Sequence, residues 1–177
     1  MMMNLIRITE PGDPRLERLI PHYEEAFPAC ERRDIRQLKR LMLEKPEMHF
    51  NAIECDGVLA GLFIYWDLRD FYYLEHLAVF SQMRNLKVGQ QVLDYIAEHL
   101  GGLRLLEVEP TNDEMTTRRV NYYRRNGYEV LDKTFIQPSY RDDSEAGNLW
   151  IMGNHPTDRL QEFIERIKNM IYRDHYR

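Results

Sequence analysis

Sulfur has little part in organising this chain. Cys30 and Cys55 are the only cysteines in 177 residues, too few and too far apart for a disulfide framework or a zinc site, so no metal is expected. The expected compartment is the reducing cytoplasm. No run of about 18 apolar residues occurs, which argues against a membrane-spanning helix, and the opening Met1-Met2-Met3-Asn4-Leu5-Ile6-Arg7 lacks the apolar stretch of a signal peptide. Positive charge is the minority sign: 24 Lys and Arg stand against 29 Asp and Glu, a net charge of −5. That balance argues against a nucleic-acid groove and favours small cationic or amine partners. Internal repeats and low-complexity linkers are also missing. What remains is about one domain's worth of chain, 44% hydrophobic and able to bury a core without staples.

Periodicity orders the elements. A first strand over 5–8 is stopped by Pro11-Gly12-Asp13-Pro14, and a helix carrying Leu16, Leu19, Ile20, Tyr23 and Phe27 runs to Pro28. A second amphipathic stretch over 31–44 lines up Ile35, Leu38, Leu41 and Met42. Strands 49–54 and 58–68 pair around Asp56-Gly57, a strong hairpin signal, and a strand over 72–80 follows. Val88, Val92, Ile96 and Leu100 then recur at helical spacing. After Gly101-Gly102 come a strand over 103–109, a helix opened by a Thr111-x-x-Glu114 capping box and stopped by Asn126-Gly127, and strands over 128–135 and 148–152. The acidic segment 141–147 between them reads as an exposed loop. A last helix over 157–176 carries Leu160, Phe163, Ile164, Ile167, Met170 and Ile171 along one stripe, which either covers its own sheet or forms a homodimer contact. The order predicts an α/β fold with a mixed sheet.

The junction after residue 80 stands out chemically. A dense strand passes through a turn carrying Arg84 and Lys87 into a helix start, locally basic in an acidic protein. Backbone N–H groups and the positive end of a helix dipole converge at such a place, which suits a pyrophosphate. Arg84 and Gly89 fit the ends of the Arg/Gln-x-x-Gly-x-Gly/Ala motif of the GNAT superfamily of N-acetyltransferases, with Lys87 where the middle glycine usually stands. Downstream, Tyr122-Tyr123-Arg124-Arg125-Asn126-Gly127-Tyr128 matches that family's aromatic-Tyr-x-x-x-Gly-aromatic signature. In order and spacing the chain therefore resembles a bacterial-type GNAT acetyltransferase over residues 4–153, with the helix over 157–176 added to one domain spanning 1–177.

The resemblance implies a mixed sheet of six to seven strands flanked by helices, the fourth and fifth strands splaying to admit pantetheine. It implies acetyl-CoA as co-substrate and acetylation of a primary amine, on a small molecule or a peptide, by direct transfer in a ternary complex. A catalytically silent CoA-binding or sensing protein of the same fold is the alternative, and Lys87 is its best support. By this resemblance Arg84, Asn85, Leu86, Lys87, Val88, Gly89 and Gln90 form the phosphate cradle. The main chain of Leu77, Ala78 and Val79 binds the acetyl carbonyl and pantetheine, and Tyr123 is the acid that protonates thiolate. Strand alternation sets Glu75 among apolar neighbours, as a base or as a salt-bridged carboxylate. Glu107 and Glu109 share one strand face and are placed to hold a substrate ammonium or to act as the base instead. His76, on the opposite face from Glu75, reads as structural.

Overall fold

The alternation over residues 48–67 folds as a long antiparallel hairpin, which frames the first of two units. The computed structural model describes residues 2–176. One unit comprises the chain up to Leu68 together with Leu74–Gly101, and the other Arg69–Tyr73 together with the chain from Gly102 onward.

In the first unit β1 (Met3–Arg7) pairs antiparallel with β2 (Met48–Cys55), Met3 facing Cys55 and Arg7 facing Asn51. β2 turns into β3 (Val58–Asp67) through Asp56 and Gly57, both at positive φ, the backbone that a tight right-twisted hairpin demands. The register slips once, Ile53 facing Gly61 and Glu54 facing Leu59, so Ala60 is an extra residue that bends β3. α1 (Leu16–Ala26) buries Leu16, Leu19 and Tyr23. The second stretch does not start at 31: a 3-10 turn over Ala29–Glu31 comes first, and α2 (Ile35–Glu44) opens where the Asp34 carboxylate accepts from the N–H groups of Arg36 and Gln37. β4 (Tyr72–Val79) ends in a 3-10 turn over Ser81–Leu86, and α3 (Val88–His99) buries Val88, Val92, Leu93 and Ile96.

In the second unit β5 (Arg104–Val108) is followed by α4 (Glu114–Arg125), β6 (Glu129–Asp132), β7 (Ile136–Pro138), β8 (Glu145–Asn148) and β9 (Trp150–Gly153). β9 lies between β5 and β6, antiparallel to both, with Met152 facing Leu106 on one side and Val130 on the other. The Tyr72 N–H donates to the Leu103 carbonyl at 2.9 Å, so the start of β4 belongs to this unit. The strands follow the order β1-β2-β3-β4-β5-β9-β6, a mixed seven-stranded sheet within the expected range.

Three local expectations give way. The capping box of α4 uses Asp113 and Thr116, not Thr111 and Glu114, because Thr116 Oγ1 returns to the Asp113 N–H at 3.1 Å. Part of the segment read as a loop is a strand, since β8 pairs with β7 in a separate two-stranded sheet. The last helix is α5 (Leu160–Arg166) continued by a π-helical turn over Ile167–Tyr172 and a 3-10 turn over Arg173–His175. Its stripe, Phe163, Ile164, Ile167 and Ile171, is buried within the chain.

Candidate functional site

The strand-to-helix junction has the geometry of an anion cradle. Lys87 lies at φ +56°, ψ +33°, the left-handed region that glycine enters freely and that costs an ordinary residue about 1–2 kcal/mol. The motif position keeps its glycine-like backbone although a lysine occupies it. The first bond of the α3 ladder runs from the Gln91 N–H to the Lys87 carbonyl at 3.1 Å, so the N–H groups of Val88 and Gly89 precede the ladder and are left to other acceptors. Arg84, Asn85, Leu86 and Lys87 are exposed, while Val88 is buried and Gly89 and Gln90 half-buried. Among the described residues neither Arg84 nor Lys87 is engaged in an ion pair. Two uncommitted cations beside an opening helix turn suit a diphosphate.

The end of β4 is fixed from beneath by the bulge in β3. A Cβ on Gly61 would collide with the Ala78 carbonyl oxygen and stand 2.9 Å from Val79 Cα, so only glycine allows this approach. The Phe80 N–H donates to the Ala60 carbonyl at 2.8 Å. His22 of α1 sits edge-on to the Phe80 ring at 4.5 Å, and desolvation lowers its pKa, opposed by a hydrogen bond with Ala78. Leu77 and Val79 are half-buried and Ala78 is buried.

Glu75 uses both of its oxygens. Arg33 Nη2 donates to Oε2 at 3.0 Å and Trp66 Nε1 to Oε1 at 2.8 Å. Arg33 Nη1 donates to Gln37 at 2.9 Å, and the Arg33 main-chain N–H donates to the Tyr23 hydroxyl at 2.8 Å. Protonating a carboxylate anchored on a buried guanidinium would break the pair and leave the guanidinium uncompensated. His76 packs against Phe27 with ring centroids 4.2 Å apart and bonds the Glu31 carbonyl at 3.0 Å.

In the second unit the other candidates separate. Glu107 is half-buried and its Oε2 accepts from the Tyr172 hydroxyl at 2.6 Å and from Gln137 Nε2 at 3.1 Å. Glu109 is exposed, 3.7 Å from Arg119. The half-buried Tyr123 lies edge-on to Tyr122 and Tyr128, and its hydroxyl makes no hydrogen bond among the described residues. Desolvation pushes its pKa up to about 12, with Arg119 opposing. The arginines of α4 spread outward, Arg118 pairing with Glu114 at 3.1 Å. Among the described residues no group of three or more His, Cys, Asp or Glu is placed to hold a metal ion, and no helix is long and apolar enough to cross a membrane.

Four partners of these candidates escaped the sequence reading. Arg33 sits in a charged run, Glu31-Arg32-Arg33-Asp34, that looks solvated, and Trp66 ends an apolar strand like any core residue. Nothing in the sequence marks Gln137 or Tyr172 as a partner of Glu107.

Comparison with known proteins fits this geometry. Residues 15–128 match the model of the acetyltransferase (GNAT) family, and the chain belongs to that family. A GNAT-family protein from Bacteroides thetaiotaomicron is 27% identical with a TM-score of 0.87, over 97% of this chain and 98% of that one. An aminoglycoside 6'-N-acetyltransferase complexed with coenzyme A is 17% identical with a TM-score of 0.59, over 89% of this chain and 99% of its own. A GNAT acetyltransferase from Elizabethkingia anophelis with acetyl-CoA bound is 10% identical with a TM-score of 0.57, over 87% and 98%. At these last two identities the likeness is one of fold. No curated protein matches the chain.

Proposed function

We propose that this chain, acting as one domain in the cytoplasm, transfers an acetyl group from acetyl-CoA to a primary amine of a small molecule or peptide, directly, in a ternary complex. The observation that carries the reading is the left-handed Lys87 at the opening of α3, which keeps the backbone of a phosphate loop and adds an ammonium to it. Arg84, Lys87 and the N–H groups of Val88 and Gly89 hold the diphosphate of the co-substrate, and the main chain of Leu77 to Val79 orients its acyl arm. Acetyl-CoA supplies an activated thioester. A C–N bond forms as the C–S bond breaks, the amine loses a proton to solvent, and the Tyr123 hydroxyl gives one to the departing thiolate and takes its replacement from solvent, so that the net products are the amide and the free thiol.

The phenol at about 12 and a thiol at about 8.5 differ enough that this transfer is uphill by about 5 kcal/mol. Thiolate leaves tolerably without help, so Tyr123 assists and does not control the reaction. Glu75, pinned by Arg33 and Trp66, holds β4 in place more readily than it takes a proton.

The test mixes protein, acetyl-CoA and a panel of primary amines and follows free thiol together with acetylated amine by mass. Amine-dependent thiol release is expected. Tight acetyl-CoA binding with no thiol release from any amine would favour the silent binding protein.

A further inference from the structure

Within the second unit, the end of α4, the start of β6 and the chain just past β9 border a cavity of about 320 Å³. None of the residues assigned to acetyl transfer lines it. Leu131, Pro156 and Tyr128 form its apolar lining, with Tyr128 2% exposed and so part of the floor. Arg124 and Glu129 bring opposite charges to the same cavity. Both are exposed, and among the described residues neither is engaged in an ion pair. Arg124 Nη1 reaches Asn121 at 3.5 Å. The two charges border one space without closing on each other. His155 Nδ1 donates to the Pro156 carbonyl at 3.0 Å, since a carbonyl only accepts, and Nε2 is the ring nitrogen left for another partner.

These groups stand on braced backbone. Between Arg124 and Glu129 the Gly127 N–H donates to the Arg124 carbonyl and the Tyr128 N–H to the Tyr123 carbonyl, both at 3.1 Å. The Tyr128 hydroxyl accepts from Arg104 Nε at 3.1 Å. Asn154 holds the opposite wall: its Oδ1 accepts from the Arg104 N–H at 2.7 Å and its Nδ2 donates to the Gly102 carbonyl at 2.9 Å, which fixes the approach to His155 and Pro156. A largely apolar hollow with a few set polar groups, at the lower end of the usual range of about 300–1,000 Å³, is the form of a small-molecule site.

We propose that this cavity binds a free α-amino acid with an apolar side chain. The ligand carboxylate pairs with Arg124, its ammonium with Glu129 and His155 Nε2, and its side chain lies against Leu131, Pro156 and Tyr128. A zwitterion answers both charges at once, whereas a simple anion or cation leaves one of them without a counter-ion.

Calorimetry of the full chain with L-leucine, L-leucinamide, 4-methylpentanoate and glycine tests this, the last three lacking in turn the carboxylate, the ammonium and the side chain. L-Leucine is expected to bind about tenfold or more tighter than each, on the scale of one charge-assisted contact or one buried alkyl side chain. Arg124→Gln should bring L-leucine down to the affinity of L-leucinamide, and Glu129→Gln to that of 4-methylpentanoate. Both positions are exposed, so both variants should fold, as circular dichroism checks. No binding of L-leucine up to about 10 mM, or equal affinity for L-leucine and 4-methylpentanoate, overturns the proposal. L-Leucine binding that survives intact in both variants also overturns it, since an amine held elsewhere as an acetyl acceptor behaves in that way. The titrations contain no acetyl-CoA, so their outcome is independent of the acetyltransferase reading.

Discussion

Arg33 and Glu75 form an ion pair at 3.0 Å with side chains 1% and 0% exposed. The pair ties the segment before α2 to the middle of β4, 42 residues away in sequence. Two ions taken out of water are tolerated only while each serves the other. Arg33→Met strands a buried carboxylate and should cost about 3–5 kcal/mol in urea denaturation. The double variant Arg33→Met with Glu75→Gln should recover part of that loss, because no uncompensated charge remains. A single-variant cost under about 1 kcal/mol would show that water reaches the pair.

Lys87→Gly separates backbone from charge. Glycine relieves the left-handed strain, worth about 1–2 kcal/mol, against a larger entropy loss on folding, so the melting temperature should hold or rise. Acetyl-CoA binding should nevertheless weaken through loss of the ammonium, and the salt dependence of binding should become shallower. Tighter binding by the glycine variant would mean that Lys87 obstructs the loop.

Tyr123→Phe should lower kcat by less than about 10²-fold, because the phenol is a poor donor to thiolate. With its pKa near 12, the phenol keeps its proton up to pH 10, so wild type should show no alkaline loss of kcat from this group. A basic limb near pH 9 that vanishes in Tyr123→Phe would contradict the burial assigned to it.

His49 stacks on Tyr65 with centroids 4.5 Å apart, and desolvation, aided by Arg7 and opposed by Asp67, lowers its pKa to about 4. A histidine depressed below its ordinary 6.5 binds fewer protons folded than unfolded, so its contribution to stability is complete above pH 6.5 and is lost as pH falls toward 4. Solvent screening of a partly exposed ring keeps the effect modest. Chemical denaturation from pH 4 to 8 should show a slope that His49→Gln flattens; an unchanged slope would assign the pH dependence to other groups.

Much of the frame was legible because it is local. Asp56-Gly57 dictated the hairpin, Val88, Val92 and Ile96 dictated α3, and the aromatic-Tyr signature placed Tyr123 on a helix. The turn into α3 was legible through Arg84 and Gly89, and Lys87 there adopts the left-handed backbone that glycine favours. The missed features are relations across the chain. Arg33 acquires meaning only when Glu75 and Trp66 arrive from two strands, and an isolated charge run shows nothing of that. Two ends were misread for a different reason. Asp113 and Thr111 are both good caps, and the choice between them depends on Thr116 returning a bond. The stripe over 157–176 fits an α-helix as well as it fits one that widens at Ile167, since a single inserted residue per turn hardly disturbs the apolar count.

The central claim is that the β4–α3 junction binds acetyl-CoA, and a calorimetric titration of wild-type protein with acetyl-CoA tests it most directly, with Arg84→Ala alongside. Micromolar binding that Arg84→Ala weakens is the predicted result. Absence of binding by the wild type, with the protein folded by circular dichroism, would contradict the account and leave this GNAT fold with another role.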